Sequence, residues 1–272
     1  YTGAVQLGSD LTLTTANGAV LFSSTVDNNS ATPRALTISS GSGNVTLTGA
    51  VGGGANGPLG AIIVNSTGTT AFSSAVTAAS VTTNAGGTVS LGGNVTTTGN
   101  QTYNDAMVLT GNVVLNAPAV TTASTIAAGS YNLTITTDAI SLGSNLTGTG
   151  ALVIQPKTAS TTVAVGSSAA GTLALSDTAL TYINDHFSSI TIGSTSGTGA
   201  LTVDYSAASF AFTNPLVLRS GTGNITAIDT LRAGTNSLTV NTGGTVTLAG
   251  VISGALSVTG SAITLNNDIT TS

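Results

Sequence analysis

Apolar and polar side chains alternate along short segments of this chain, as expected for β-strands with one buried face. In the segment 43–49, GNVTLTG, Val45 and Leu47 fall on one face and the polar residues around them fall on the other. Segments of about five to seven residues with this pattern recur roughly every eight to ten positions, separated by glycine-rich turns. Helical spacing is almost absent, so the sequence predicts an all-β fold.

One short phrase recurs, in which glycine and asparagine come directly before a predicted strand. It occurs as GNVTLTG at 43–49, GNVTTTG at 93–99, GNVVLNA at 111–117 and GNITAID at 223–229. The spacing between the copies is irregular, so the repeats are degenerate. Repetition of this kind is typical of folds in which each unit buries its apolar face against its neighbours.

Strand spacing alone leaves a sandwich, a barrel or a solenoid open, and composition favours the solenoid. β-Branched residues suit stacked pleated surfaces, small residues allow frequent turns, and recurring asparagines can form hydrogen-bonded ladders. We therefore predict a parallel β-helix of about twelve coils, at roughly 20 to 25 residues per coil. The larger members of its narrow core are predicted to be Phe22, Phe72, Phe210 and Phe212.

One segment breaks the strand pattern, LSDTALTYINDHF at 175–187. Ser176 or Asp177 can cap the start of a helix, and three apolar side chains then share one face: Leu180, Ile183 and Phe187. We predict a short helix near 176–186, inserted into a single continuous solenoid that spans 1–272. It would cover an exposed seam or widen one coil.

Charge is scarce, with four basic residues, nine acidic residues that are all aspartate, and a net charge of −5. Serine, threonine and asparagine supply the polar surface instead. Without a basic patch, nucleic-acid binding is excluded. No window reaches the roughly 18 consecutive apolar residues of a membrane-spanning helix, and the chain is not expected to be embedded in a membrane. The absence of cysteine excludes disulfides and cysteine-based metal sites.

The aspartates lie far apart in the sequence, and no Asp-x-Asp pair occurs. Glycan-cleaving enzymes built on β-helices need carboxylates gathered on one face, so we expect no catalytic residues and no cofactor. A weak metal candidate is the set Asp177, Asp185 and His186. Adjacent helical positions point about 100° apart, and a histidine at a helix C-terminus is favoured by the helix dipole, so no metal site is predicted.

Two longer phrases carry a resemblance to a known family. TTTGNQTYNDAMVL at 96–109, and GTLALSDTALTYINDHFSSITIGSTSGTGALTV at 171–203, resemble the repeats of filamentous-haemagglutinin-like and autotransporter-type bacterial surface exoproteins. The resemblance covers essentially the whole chain. It implies a right-handed β-helix that is exported and displayed outside the cell. Full-length members also carry a secretion signal, a translocation domain and an anchor, so we expect this chain to be an internal or processed piece.

We therefore expect a structural or adhesive extracellular solenoid without catalytic activity. It would be a stalk segment of an adhesin that continues into a longer chain, or a fibre subunit that associates end to end through its terminal strands. Contact with a host or surface glycan is a further expectation. The alternatives are a carbohydrate-active β-helix enzyme, which needs converging aspartates, and a carbohydrate-binding module, which needs an exposed aromatic platform.

Overall fold

The computed structural model describes residues 1–183, 187–205 and 210–271, and nearly all of their regular structure is β-strand. In chain order the first strands are β1 (Val5–Leu7), β2 (Leu11–Thr14), β3 (Val20–Phe22), β4 (Val26–Asn28), β5 (Leu36–Gly41), β6 (Val45–Leu47), β7 (Leu59–Ser66), β8 (Thr69–Phe72), β9 (Val76–Thr83), β10 (Thr88–Leu91), β11 (Val95–Thr97), β12 (Gln101–Tyr103), β13 (Ala106–Leu109), β14 (Val113–Asn116), β15 (Ala119–Thr122) and β16 (Ile126–Gly129). The remaining elements are β17 (Leu133–Thr136), β18 (Ala139–Leu142), β19 (Leu146–Gly148), β20 (Ala151–Gln155), β21 (Val163–Val165), β22 (Leu173–Leu175), α1 (Asp177–Ile183), β23 (Ser189–Ser194), β24 (Leu201–Val203), β25 (Leu216–Ser220), β26 (Ile225–Arg232), β27 (Ser237–Asn241), β28 (Thr245–Ser253), β29 (Ala255–Thr259), β30 (Ala262–Leu265) and β31 (Ile269–Thr271).

The predicted fold class, an all-β parallel β-helix with one short helix, is confirmed. Counted from β1–β3 to β29–β31, the described strands form twelve coils, with β22 and α1 inserted between two of them. The chain divides into two compact units, Tyr1–Leu133 with Ser141–Leu146, and Thr134–Ile140 with Thr147–Ser272. That the whole chain is one continuous solenoid stays a prediction.

In the first unit, successive coils add parallel strands to three sheets. One sheet contains β3, β6, β8, β10, β13 and β16, and a second contains β2, β5, β7, the end of β9, β12 and β15. A third is built from β1, β4, bridges through Val51, the start of β9, β11 and β14. The long strand β9 therefore belongs to two sheets.

Alternation in the sequence decides which side chains enter the core of a coil. Val45 and Leu47 of β6 are buried, and Thr46 between them faces outward, as predicted. The register between strands places apolar residues beside apolar residues, since Val20 pairs with Val45 in the next coil and Phe22 pairs with Leu47. Apolar columns therefore run from coil to coil, and each coil is covered by its neighbours.

The second unit is built from the same kind of stack. One sheet contains β20, β23, β25, β27 and β29, and another contains β22, β21, β24, β26, β28 and β30, with β31 paired to the far end of β28. Leu152 of β20 pairs with Ile190 of β23, and the chain between them holds the helical insertion.

Helix α1 begins where the sequence predicts. The Ser176 hydroxyl accepts a hydrogen bond of 3.2 Å from the Ala179 N–H, so Ser176 is the N-terminal cap. Leu180 and Ile183 are fully buried and Phe187 is 2% exposed, so the predicted apolar face packs inward. The helix follows β22 directly, at the edge of its sheet. The end predicted for the helix falls on 184–186, outside the described residues.

The aromatic core is largely as predicted, with one correction. Phe22, Phe72 and Phe212 are 1–2% exposed. Phe210 is only half-buried, and its ring contacts Phe212 edge-on at a centroid distance of 5.1 Å and Tyr205 at 5.4 Å. It therefore sits at the margin of the core, covering more deeply buried rings.

Candidate functional site

Most of the described aspartates bind backbone groups. Six of them accept a hydrogen bond from a backbone N–H elsewhere in the chain, and the pairs are Asp10 with Ala35, Asp27 with Gly54, Asp105 with Gly87, Asp138 with Thr158, Asp177 with Ser167, and Asp229 with Tyr205. In 1–183, 187–205 and 210–271, no three acidic, histidine or cysteine side chains come together to hold a metal ion. These carboxylates satisfy turns where backbone groups have no ladder partner.

Asp177, at the start of helix α1, forms two hydrogen bonds with Ser167. Its carboxylate accepts a bond of 2.8 Å from the Ser167 N–H, and its own N–H donates to the Ser167 hydroxyl at 3.0 Å. The other two members of the weak metal candidate, Asp185 and His186, lie outside the described residues. Asp177 therefore links the turn at Ser167 to the start of helix α1.

The asparagine of the recurring phrase has a common role in all four copies. Its side-chain oxygen accepts a hydrogen bond of 2.9–3.0 Å from the backbone N–H at the matching position one coil later, and the pairs are Asn44 with Thr69, Asn94 with Val114, Asn112 with Asn132, and Asn224 with Thr245. The recurring asparagines predict side-chain ladders at these positions. The bonds instead run from backbone to side chain and tie each strand start to the previous coil.

The glycine of the phrase is required by close approach between coils. A Cβ atom on Gly43 would collide with the Gly18 carbonyl, and one on Gly223 would collide with the Gly199 carbonyl. Only glycine lets two backbones meet this closely at a corner. In the phrase, the glycine therefore allows close backbone contact with the previous coil. The asparagine that follows it accepts a hydrogen bond from the next coil.

Asp138 holds the loop after β20 with four donors. They are the N–H groups of Lys157 at 3.0 Å and Thr158 at 2.8 Å, and the hydroxyls of Thr158 at 2.6 Å and Thr161 at 2.8 Å. Burial would raise the pKa of Asp138, but these bonds together hold it below the ordinary aspartate value. Its ionised form is therefore part of the folded structure.

Asp105 is the most buried described carboxyl, with 2% of its surface exposed. Burial raises its pKa, and a bond of 2.7 Å from the Gly87 N–H and the nearby Thr83 hydroxyl offset this only in part. The second carboxyl oxygen and the Thr83 hydroxyl lack full hydrogen-bond geometry. Removing this carboxyl from water therefore costs stability whenever it is ionised.

Other buried polar groups also serve the backbone. The Gln101 side chain is fully buried and donates to the Val95 carbonyl at 2.9 Å, and it accepts from the Tyr103 hydroxyl at 3.2 Å. At the corners, buried serines bond turn carbonyls, as Ser40 and Ser66 both do with Gly43. Burial also raises the pKa of Tyr103 well above its usual value, so this hydroxyl stays neutral.

The aromatic side chains do not form an exposed platform in the described part of the chain. Tyr103, Tyr205 and Phe212 are buried. Tyr1, 59% exposed, stacks on Phe22 with ring centroids 4.8 Å apart, and Tyr131 is exposed by itself. A carbohydrate-binding platform needs several exposed aromatic rings close together. Tyr1 and Tyr131 do not form such a group.

Two outer coils leave apolar side chains uncovered. Ile263 and Leu265 of β30 are each 46% exposed, although they continue columns whose preceding members, Val246 and Leu248, are fully buried. In the other unit, Leu11 and Leu13 of β2 are half-exposed beside the fully buried Leu36 and Ile38. Strands β30 and β2 each pair on one side only. An added coil would bury these side chains and extend these ladders.

The fold and its hydrogen bonds define a parallel β-helix in which six described aspartates and four asparagines bond the backbone of other turns and coils. Among the described residues, no helix has the length and apolar character needed to span a membrane. No protein-family profile, no curated protein and no solved structure matches the chain.

Proposed function

We propose that this protein is a non-catalytic, extracellular β-solenoid that acts as a stalk segment of a surface adhesin or as a subunit of an extracellular fibre. The observation that carries the proposal is the use of polar side chains. Six described aspartates and the four phrase asparagines bond the backbone of other turns and coils. The aspartates, which an enzyme of this fold would use as catalytic groups, instead hydrogen-bond the backbone.

The outer coils support both versions of the proposal. Ile263 and Leu265 on β30, and Leu11 and Leu13 on β2, extend core columns into solvent. In an adhesin stalk, further coils of the same chain cover such side chains. In a fibre, the outer strand of a second copy covers them, in a head-to-tail contact that repeats without closing.

Negative-stain electron microscopy with light scattering over a range of concentrations separates the two versions. Filaments that lengthen with concentration support the fibre subunit. Ile263→Lys should then shorten them, because a buried charge opposes stacking, whereas the matched control Thr46→Lys on an outward face should not. Discrete particles at every concentration contradict the fibre version and leave the stalk version.

Localisation is tested in cells of the source organism. Antibody against the chain should label intact cells or the culture medium, and added protease should remove the signal without breaking the cells. Labelling that appears only after the cells are opened would contradict an extracellular role.

The catalytic alternative is tested by substrate screening. The purified chain should release no reducing ends from a panel of neutral and acidic polysaccharides. If it does, and if Asp229→Asn or Asp138→Asn abolishes the release while the fold is retained, then the carbohydrate-active reading replaces the structural one.

A further inference from the structure

A column of threonines lies on one outer face of the first unit. The face is formed by β2, β5, β7, the end of β9, β12 and β15, and we call it the threonine face. Its central column, in register from coil to coil, is Thr12, Thr37, Ile63, Thr82, Thr102 and Thr121. Five of the six positions are threonine, although the strands belong to coils of different length.

These threonines point away from the core. Thr37 is half-exposed between Leu36 and Ile38, which are both fully buried. Thr102 is half-exposed between Gln101 and Tyr103, which are also fully buried. Because side chains alternate across a strand, the hydroxyl and methyl groups of the column form the outer surface of the sheet.

The column has polar neighbours, and the charged residue beside its first strand, Asp10, accepts a hydrogen bond from the Ala35 N–H. Two residues further along the first three strands lie Thr14, Ser39 and Asn65, and the Asn65 amide donates to the Ser39 hydroxyl at 3.3 Å. None of the six strands contains a charged residue. In the second unit, the threonines Thr202, Thr226, Thr247 and Thr264 are also in register, but strand β26 of that sheet carries Asp229 and Arg232.

The spacing of the column is fixed by the backbone. Neighbouring parallel strands lie about 4.8 Å apart, and alternate residues along a strand lie roughly 6.6 Å apart. Threonine is stiff at χ1, so the hydroxyls hold their positions without much loss of side-chain entropy. The face thus presents a regularly spaced row of threonine hydroxyls and methyl groups, interrupted at Ile63.

We propose that the threonine face binds ice. Oxygen atoms in ice form rows whose repeat is close to the distance between coils. Hydroxyls at that interval hydrogen-bond water molecules in matching rows, and the methyl groups between them leave neighbouring water to bond with itself. Charged groups would hold water in hydration shells of their own geometry, and the strands of this face contain none. The proposed ligand of the threonine face is thus the surface of an ice crystal.

This inference goes beyond the proposed function and does not depend on it. Ice binding needs the threonine face alone, while the stalk or fibre role concerns the outer coils and the location of the chain. A chain that binds ice without forming filaments, and a chain that forms filaments without binding ice, are both distinguishable outcomes.

The test uses the full chain in two assays, inhibition of ice recrystallisation and incorporation into a slowly growing ice front. Thr102→Tyr places a bulky ring on the threonine face, and Thr37→Tyr does the same on another coil. The matched control, Thr46→Tyr, makes the identical change on β6, an outward position of a different sheet of the same unit. Circular dichroism and melting temperature establish that each variant is folded.

The wild-type chain is expected to inhibit recrystallisation and to enter the ice. Thr102→Tyr and Thr37→Tyr should each raise the concentration needed by at least about tenfold, as loss of a central contact does at other interfaces, while Thr46→Tyr should match the wild type. Exclusion of the wild-type chain from ice overturns the proposal. An equal effect of the three substitutions also overturns it.

Discussion

The side-chain oxygen of Asn44 accepts a hydrogen bond of 2.9 Å from the backbone N–H of Thr69, the residue stacked on it in the next coil. Asn94, Asn112 and Asn224 form the same bond in their own coils. A strand start at a corner has an N–H that the ladder leaves free, and the phrase supplies its acceptor. A phrase visible in the sequence is thereby explained by a contact between residues that are distant along the chain.

Loss of this amide should be measurable at one site. Asn44→Ala removes the acceptor for the Thr69 N–H and is expected to lower the free energy of unfolding by about 1 kcal/mol. Asn100→Ala is the control, because Asn100 is as exposed as Asn44 but its side chain accepts no hydrogen bond from a described backbone N–H. Urea denaturation followed by circular dichroism measures both. Equal stability of the two variants would remove the role assigned to the phrase.

Substitution of the phrase glycine is expected to cost more stability than loss of the asparagine. Gly223→Ala places a methyl group against the Gly199 carbonyl, which belongs to backbone and cannot rotate away. A loss of about 1–3 kcal/mol is expected, as for other overpacked sites. Gly3→Ala is the control, since a Cβ atom there meets nothing within 4 Å. A melting temperature for Gly223→Ala equal to that of Gly3→Ala would contradict the close approach of the coils.

Asp138 should make the fold sensitive to acid. Its four donors hold its pKa below the value of about 3.9 that aspartate has when unfolded. The stability that this carboxylate contributes is therefore complete above the unfolded pKa and is lost as the pH falls through the lower folded pKa. Asp138→Asn should lower the melting temperature at pH 7, and the difference from wild type should shrink at strongly acidic pH.

Asp268→Asn is the control for Asp138→Asn because it removes the same charge from an exposed residue. It should leave the melting temperature nearly unchanged at pH 7. If Asp138→Asn and Asp268→Asn behave alike across the pH range, then the bonds to Thr158 and Thr161 do not stabilise the fold.

Asp105 should have the opposite pH dependence. Burial raises its pKa, so the folded chain binds this proton more tightly than the unfolded chain does. Its favourable effect is present below the unfolded pKa and is lost as the pH rises through the folded pKa. Asp105→Asn does not titrate and retains an acceptor for the Gly87 N–H. Its melting temperature relative to wild type should therefore be higher at pH 7 than at pH 3, and an unchanged difference would contradict the assignment.

Local pattern was sufficient to predict the elements of the fold. Alternation placed Val45 and Leu47 inside, and the spacing of Leu180, Ile183 and Phe187 placed a short helix where α1 lies. Both signals arise from the period of a single element, which needs no knowledge of distant residues. The helix cap at Ser176 could be predicted for the same reason.

What the sequence could not provide was the register between coils. Coil lengths vary, as the intervals of 25 residues between Asn44 and Thr69 and 20 between Asn94 and Val114 illustrate. The pairing of each asparagine with a backbone N–H could therefore not be derived from a fixed repeat. Phe210 was assigned to the core because it is large and apolar, but its surface is only half-buried. The threonine face could not be predicted either, because its column appears only when six coils of different length are aligned in register.

The stacking of coils in register underlies the buried core, the asparagine bonds and the threonine face, and the absence of cysteine makes this stacking directly testable. Thr46 of β6 is paired with Ala71 of β8, and Ala71 with Ser90 of β10, all on one outward face. Adjacent parallel strands about 4.8 Å apart allow a disulfide between paired positions, while strands two coils apart do not. In mass spectra recorded after oxidation, the double variant Thr46→Cys with Ala71→Cys should form an intramolecular disulfide, and Thr46→Cys with Ser90→Cys should remain reduced. Equal oxidation of both variants, or no disulfide in the first, would contradict the parallel stack.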